Sequence, residues 1–352
     1  MCNSNQLLTF RMWMIILLFN SFLLTINGIK VDLIEKDLYH SIEKILFNRN
    51  ELFIGTENLL HRLSAANLTK LQTSFELPTK NHFKILFLIN ENHLLVCGTF
   101  HQGLCQLIDK DFHLIINSSL PIVANDPINS TIGLIIPEKN LIYFGVTYTN
   151  EGLYRWQIPN ISGRSLNLTN FMKILSINDD ETISRDDLSL RFMPRQQTTF
   201  IVQYIYSFYQ KNYIYFLTNQ PHDLDQTIII TKIIRFCRNS STSIIRSYSE
   251  MPLICSNSDW ILKSAQTILD SNDQMILIGL FHKRDGSNGT NLCSWKISNE
   301  IDKAFHDNYQ NCYSSGIGQR GLSFIKPNEP CRKDDVNVKL QIKIFFIVFF
   351  FL

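Results

Sequence analysis

One unit recurs along this 352-residue chain: an apolar strand ending in glycine, a polar turn, and a second strand opening on leucine. It reads LFIGTENLLHRL from Leu52 to Leu63, LLVCGTFHQGLCQL from Leu94 to Leu107, and LIYFGVTYTNEGLYRW from Leu141 to Trp156. MILIGLFHKRDGSNGTNLCSW, from Met275 to Trp295, has the same form with a longer turn. YIYFLTNQPHDLDQTIIITKIIRFC, from Tyr213 to Cys237, is a copy without its glycine. Gly55, Gly98, Gly145 and Gly279 mark equivalent places, the first two steps being 43 and 47 residues. An all-strand unit of about 40 to 50 residues predicts the blades of an all-β propeller. The alternative is a set of unrelated hairpins in a sandwich.

The intervening sequence supports strands. KILFLI, TTFIVQYIYSF and TIIITKIIRF are short runs rich in β-branched and aromatic residues, separated by Asn, Asp, Gly and Lys clusters. Only SWKISNEIDKAFHDNYQNC reads as helical, with Ile301, Ala304 and Phe305 at helix-like spacing. With 25 Phe and 12 Tyr but few Gly or Pro, the chain has the composition of a packed domain. A formal net charge of +2 and no long basic run argue against nucleic acid or an anionic membrane as the main partner.

The amino terminus predicts secretion. Arg11 precedes an apolar run from Met12 to Ile26, broken by Asn20 and Ser21, and Gly28 offers a cleavage point. Residues 1–28 therefore read as a signal peptide rather than a retained anchor, which wants about 20 unbroken apolar residues. Cys2 leaves with that signal, and Cys97, Cys105, Cys237, Cys255, Cys293, Cys312 and Cys331 remain for an oxidising compartment. Cys97 and Cys105 fall on either side of the turn in the second repeat, where a disulfide would pin one hairpin. Its ring is short, so the loop-entropy gain is about 2 to 3 kcal/mol. Zinc held by Cys97, His101 and Cys105 is the alternative, but it lacks a fourth ligand nearby. Glycosylation sequons begin at Asn67, Asn117, Asn129, Asn160, Asn167, Asn239 and Asn288, and if used they mark exposed loops.

Several motifs together resemble the Sema domain, and within that group the plexin receptors more than the semaphorin ligands. CGTFHQGLC (Cys97 to Cys105) is similar to the plexin hairpin CGS-x-x-QG-x-C. YIYSFYQKNYIYFLT (Tyr204 to Thr218) resembles a YVYSF…YYLT run, ITKIIRFC resembles TSK-x-VR-x-C, and SYSEMPLIC (Ser247 to Cys255) resembles SY-x-E-x-P-x-x-C. LIGLFHKRDGSNGTNLCSWKISNEIDKAFHDNYQNC resembles the family's strand, insertion and helix, and ELFIGTENLLHRLSAANLT resembles its opening blade. The likeness runs from about Lys30 to Cys331, so residues 30–335 read as the domain.

The resemblance implies a seven-bladed propeller of which this chain covers about five blades. It implies the pairs Cys97–Cys105, Cys255–Cys293 and Cys312–Cys331, and leaves Cys237 unpaired, since the place of its partner falls near Lys343. A cysteine pair between the first two blades is absent from TSFELPTKNHF. The uncharged run at the end of residues 336–352, Ile344 to Leu352, is about half of what crosses a bilayer, so no stable anchor is expected from it. The abrupt stop suggests a shortened or mispredicted reading frame.

Catalytic chemistry finds no support. GIGQRG (Gly316 to Gly321) follows no βαβ strand and is followed by Pro327 where a phosphate-binding helix would run. Asp179, Asp180, Asp186 and Asp187 read as solvated loop charges. The expectation is a non-enzymatic extracellular recognition domain without cofactor or metal. By resemblance its partner is a semaphorin-type protein, in receptor assembly for cell or axon guidance, with homo- or hetero-association through Sema domains also expected. A soluble decoy, or an extracellular propeller hydrolase, are the alternatives. The motifs assign no partner-contact residues.

Overall fold

The computed structural model describes residues 42–76, 80–152, 157–168, 173–177, 188–222, 228–238, 244–256 and 259–314. The expected signal peptide, the tail 336–352, Asn239, Cys331, the acidic pairs and GIGQRG lie outside the described residues, as does the Cys312 side chain. Among the described residues, five antiparallel sheets follow one another in chain order. The first holds β1 (Ile42–Asn48), β2 (Glu51–Thr56), β3 (Leu59–Ser64) and β4 (Lys70–Glu76). The second holds β5 (Phe83–Asn90), β6 (His93–Gly98), β7 (Cys105–Asp109) and β8 (Leu114–Asn117). The third holds β9 (Thr131–Ile136), β10 (Leu141–Val146), β11 (Ile161–Ser165) and β12 (Ser189–Leu190). The fourth holds β13 (Gln203–Gln210), β14 (Tyr213–Pro221), β15 (Ile229–Cys237) and β16 (Ser249–Pro252), and the fifth β17 (Trp260–Leu269), β18 (Met275–Lys283) and β19 (Thr290–Lys296).

Each sheet is a meander, and the first strands lie side by side: β1 on β5, β5 on β9, β9 on β13, β13 on β17. Sheets fanned about their first strands are the blades of a β-propeller, five of them here.

The core lies in the slabs between blades, so a second strand is buried on both faces. Leu94 and Val96 of β6 pack toward blade one, Leu95 and Cys97 toward blade three. Along β14, Ile214 and Phe216 pack with Tyr143 and Phe236, whereas Tyr215 and Leu217 pack with Phe281 and Trp295. Alternate residues serve opposite slabs because side chains alternate across a strand. This is why the repeats read as unbroken apolar runs.

Blade contacts are close enough to exclude a side chain. A Cβ on Gly145 of β10 would lie 2.4 Å from Tyr204 Cδ1 on β13. After β19 a π-turn, Ile297–Ile301, leads into a helix, Asp302–Ser314; together they bury Ile301, Ala304 and Phe305 against blades four and five. The Arg235 guanidinium is sandwiched 4.2 Å from both the Tyr213 and Phe305 rings, with Asp302 3.6 Å away.

Two expectations about the repeat are corrected. Gly279 does not end its strand: β18 continues to Lys283. The partner of β10 is not a strand opening at Leu153, which lies outside the described residues, but Ile161–Ser165, with Gly145 opposite Ile161. The expected glycosylation position Asn160 is buried in this fold. It is 3% exposed, and its Oδ1 accepts the Phe192 N–H at 3.1 Å, leaving no room for an oligosaccharide.

Candidate recognition surface

A meandering blade places its second-to-third-strand loop and its connector to the next blade at the same end. At that end, loops of blades two and three and the connector between them pack into one platform. Its base is the Cys97–Cys105 disulfide, whose Cα atoms are 4.1 Å apart in directly opposed positions of β6 and β7. Both cysteines are fully buried, and the Ser118 hydroxyl accepts the Cys105 N–H at 3.0 Å.

Above the disulfide, Phe100–Gln102 form a single 3-10 turn that returns through His101, Gln102 and Gly103, all at positive φ. Gly103 at φ 101° is needed twice over, since a Cβ there would also meet Val123 O at 2.2 Å. Its carbonyl accepts the Ile122 and Val123 N–H groups at 2.7 and 3.1 Å, fixing the connector to the turn. Asn81, wholly buried, joins blade one: its Oδ1 accepts the Phe100 N–H, and its backbone pairs with Asn58.

Past Ala124 the chain reads NDPINS. Asp126 Oδ1 accepts the Ile128 and Asn129 N–H groups at 2.8 and 2.6 Å, and Oδ2 accepts the Asn129 amide at 2.5 Å. Lys84 of β5 reaches under the loop, donating to Pro127 O at 3.1 Å and Asn129 O at 2.7 Å. Burial lowers the Lys84 pKa to about 8, against the opposing pull of Asp126. The Asn125 amide donates to Glu151 O at 3.1 Å, and Gly152 at φ 79° sits against the Gln102 and Asn125 side chains, bringing in the blade-three loop. The far end is tied to blade four, where Ser130 Oγ accepts the Tyr204 N–H and meets Thr147 Oγ1.

Two other polar clusters among the described residues are internally paired. In blade four, Glu250 accepts from Lys232, Gln220 and Tyr248, all buried or nearly so, and desolvation raises the Tyr248 hydroxyl well above its ordinary pKa. At the opposite end, Asn48, Arg49, Glu51, Glu91 and Lys110 line a cleft of about 280 Å³, with Arg49 paired to Glu91 and Lys110 to Glu51. A cavity of about 10 Å³ beside the platform, lined in part by Ala124, Tyr148 and Asn160, has room for one water.

Cys255 and Cys293 are joined, fastening the connector after β16 to β19. Cys237 is a half-exposed free thiol. With both sulfurs of Cys97 and Cys105 in a disulfide, neither is a thiolate for zinc, and no cluster of three His, Cys, Asp or Glu suited to a metal occurs among the described residues. Asn67, Asn117 and Asn288 are exposed; Asn129 and Asn167 are half-buried. Nothing in the sequence alone singles out Lys84 or Asn81 for this platform, and Ile128 carries only a turn signal. The Asp-Pro-x-Asn turn signature was the available signal for the last.

No family model matches the sequence. It is similar to Plexin-2 of Caenorhabditis elegans, 25% identical over 254 residues, covering 71% of this chain. The chain spans only 13% of that relative's length. The fold is similar to the Plexin A4 full extracellular region, with a TM-score of 0.68 and 20% identity over 86% of this chain and 39% of that one. It is also similar to a chain of Drosophila Plexin A in complex with Semaphorin 1b, with a TM-score of 0.52 and 11% identity over 76% of this chain and 53% of that one. These structural likenesses show the fold: a Sema-type propeller.

Proposed function

We propose that this plexin-like Sema propeller is an extracellular protein-recognition domain that binds a semaphorin-type ligand and takes part in receptor assembly for cell or axon guidance. The observation that carries the reading is the platform. Four peptide segments from blades one to three are locked together over a buried disulfide, with their turns at one end of the fold. Rigid turns on a scaffold suit protein recognition because little ordering entropy is lost on binding. A Plexin A solved in complex with Semaphorin 1b supports the choice of ligand class.

The reading is recognition without catalysis. The Lys232–Glu250 pair, the most conspicuous acid and base inside a blade, is buried, and both carboxylate oxygens of Glu250 are taken by Lys232, Gln220 and Tyr248. Entry into the secretory pathway through residues 1–28, a Sema domain over residues 30–335 and glycans at Asn67, Asn117 and Asn288 belong to the same proposal. Surface binding of the secreted chain to semaphorin ectodomains tests it, alongside a panel of glycosidase and esterase substrates. Saturable binding without turnover is expected; turnover without binding would overturn the reading.

A further inference from the structure

The platform carries a side chain that stands clear of the fold. Ile128 is 85% exposed, whereas the other large exposed hydrophobics among the described residues lie between 37% and 55%. Single exposed apolar residues are common and ordinarily need no explanation. What distinguishes this one is the machinery beneath it. The backbone N–H of Ile128 is held by the Asp126 carboxylate, and both flanking carbonyls, Pro127 O and Asn129 O, accept from Lys84 Nζ. Lys84 is 7% exposed, so a charged side chain has been taken out of water to brace the loop. The loop is tied beyond that to blade three through Asn125 and to blade four through Ser130. Proline at position 127 restricts the backbone next to the tip. A blade connector needs none of this to cross from β8 to β9.

We propose that Ile128 is a preorganised apolar knob that inserts into an apolar socket on the protein partner, with Lys84 as the residue that positions it. This deepens the recognition reading above and rests on it. Rigid anchors in desolvated pockets dominate interface energetics, because their conformational cost is met before binding. The carboxylate of Asp126 and the exposed Glu151 accompany the knob, so the socket has a basic or neutral rim rather than an acidic one. The partner is thus an extracellular protein with an apolar pocket whose rim is free of acidic side chains.

The test uses the secreted chain and purified semaphorin ectodomains as probes, comparing wild type with Ile128→Asp, Ile128→Leu, Lys84→Met and Leu114→Asp. Leu114 is an exposed residue of β8 away from the tip and serves as control. Ile128→Asp should lower affinity by roughly 30-fold at unchanged thermal midpoint, with Ile128→Leu and Leu114→Asp near wild type. Lys84→Met should speed hydrogen exchange at the Ile128 and Asn129 amides in the free protein and weaken binding. Wild-type binding that Ile128→Asp leaves intact would overturn the knob while sparing the functional reading. Failure of the wild type to bind any probe would overturn both.

Discussion

Lys232 Nζ and Glu250 Oε1 meet at 2.8 Å between two neighbouring strands of blade four, with 9% and 3% of their side chains exposed. Both oxygens of the carboxylate are occupied, since Gln220 and Tyr248 donate to the other one. A buried pair of this kind adds little over an apolar substitute, but losing one member strands the other. Lys232→Met and Glu250→Leu should each cost about 3 to 5 kcal/mol by urea denaturation. The double variant should cost less than the two singles summed, and strict additivity would show that the pair is not coupled.

The contact of Gly145 with Tyr204 predicts a blade-to-blade clash. Gly145→Ala would put a methyl 2.4 Å from a ring atom that is itself fully buried. Loss of about 1 to 3 kcal/mol is expected, as for overpacked cores. Tyr204→Leu should recover part of that loss in the Gly145→Ala background, measured as the change in urea midpoint.

For the Cys97–Cys105 disulfide, replacing both residues by Ala should cost about 2 to 3 kcal/mol, the entropy of so short a ring. Partner binding should fall by more than stability predicts, because the turn at Phe100–Gln102 is anchored at the disulfide. Binding lost only in proportion to unfolding would separate the disulfide from the platform.

Lys84 gives a pH signature. Its folded pKa, about 8, lies below the ordinary 10.5, chiefly through burial. Lys44 pushes in the same direction, while Asp126 and Glu43 oppose it. Between those values the unfolded chain holds more protons, so this group makes stability rise with pH across that window. The burial penalty is fully present below the folded pKa and relieved as pH climbs through it. Wild type should therefore gain stability relative to Lys84→Met between pH 8 and 10.5. Parallel stability curves would place Lys84 outside the linkage.

What was legible in the sequence follows from how blades bury their strands. β6, β10 and β14 face a packed slab on each side, so HLLVCG, LIYFGV and YIYFLT carry an unbroken apolar signal. β11 does not: Ser162, Gly163 and Arg164 are buried through hydrogen bonds, and ISGRS reads as loop. That is why the sequence points to Leu153 for the partner strand of β10, whereas β10 pairs with Ile161–Ser165. Lys84 sits inside FKILFLIN, where a lysine reads as solvent-facing, and its burial depends on carbonyls more than 40 residues away in sequence. The Asn160 sequon is buried for the same reason, its side-chain oxygen accepting the N–H of Phe192, 32 residues away. Local pattern located the blades; the polar groups that join them depend on contacts remote in sequence.

The central claim is that this propeller recognises a semaphorin-type protein through the blade-two and blade-three platform. The most direct measurement is calorimetric titration of the secreted, disulfide-intact chain with semaphorin ectodomains, repeated with Ile128→Asp. The account predicts saturable binding by the wild type and a roughly 30-fold loss in the variant at equal thermal stability. A folded wild-type chain that binds none of them would contradict it.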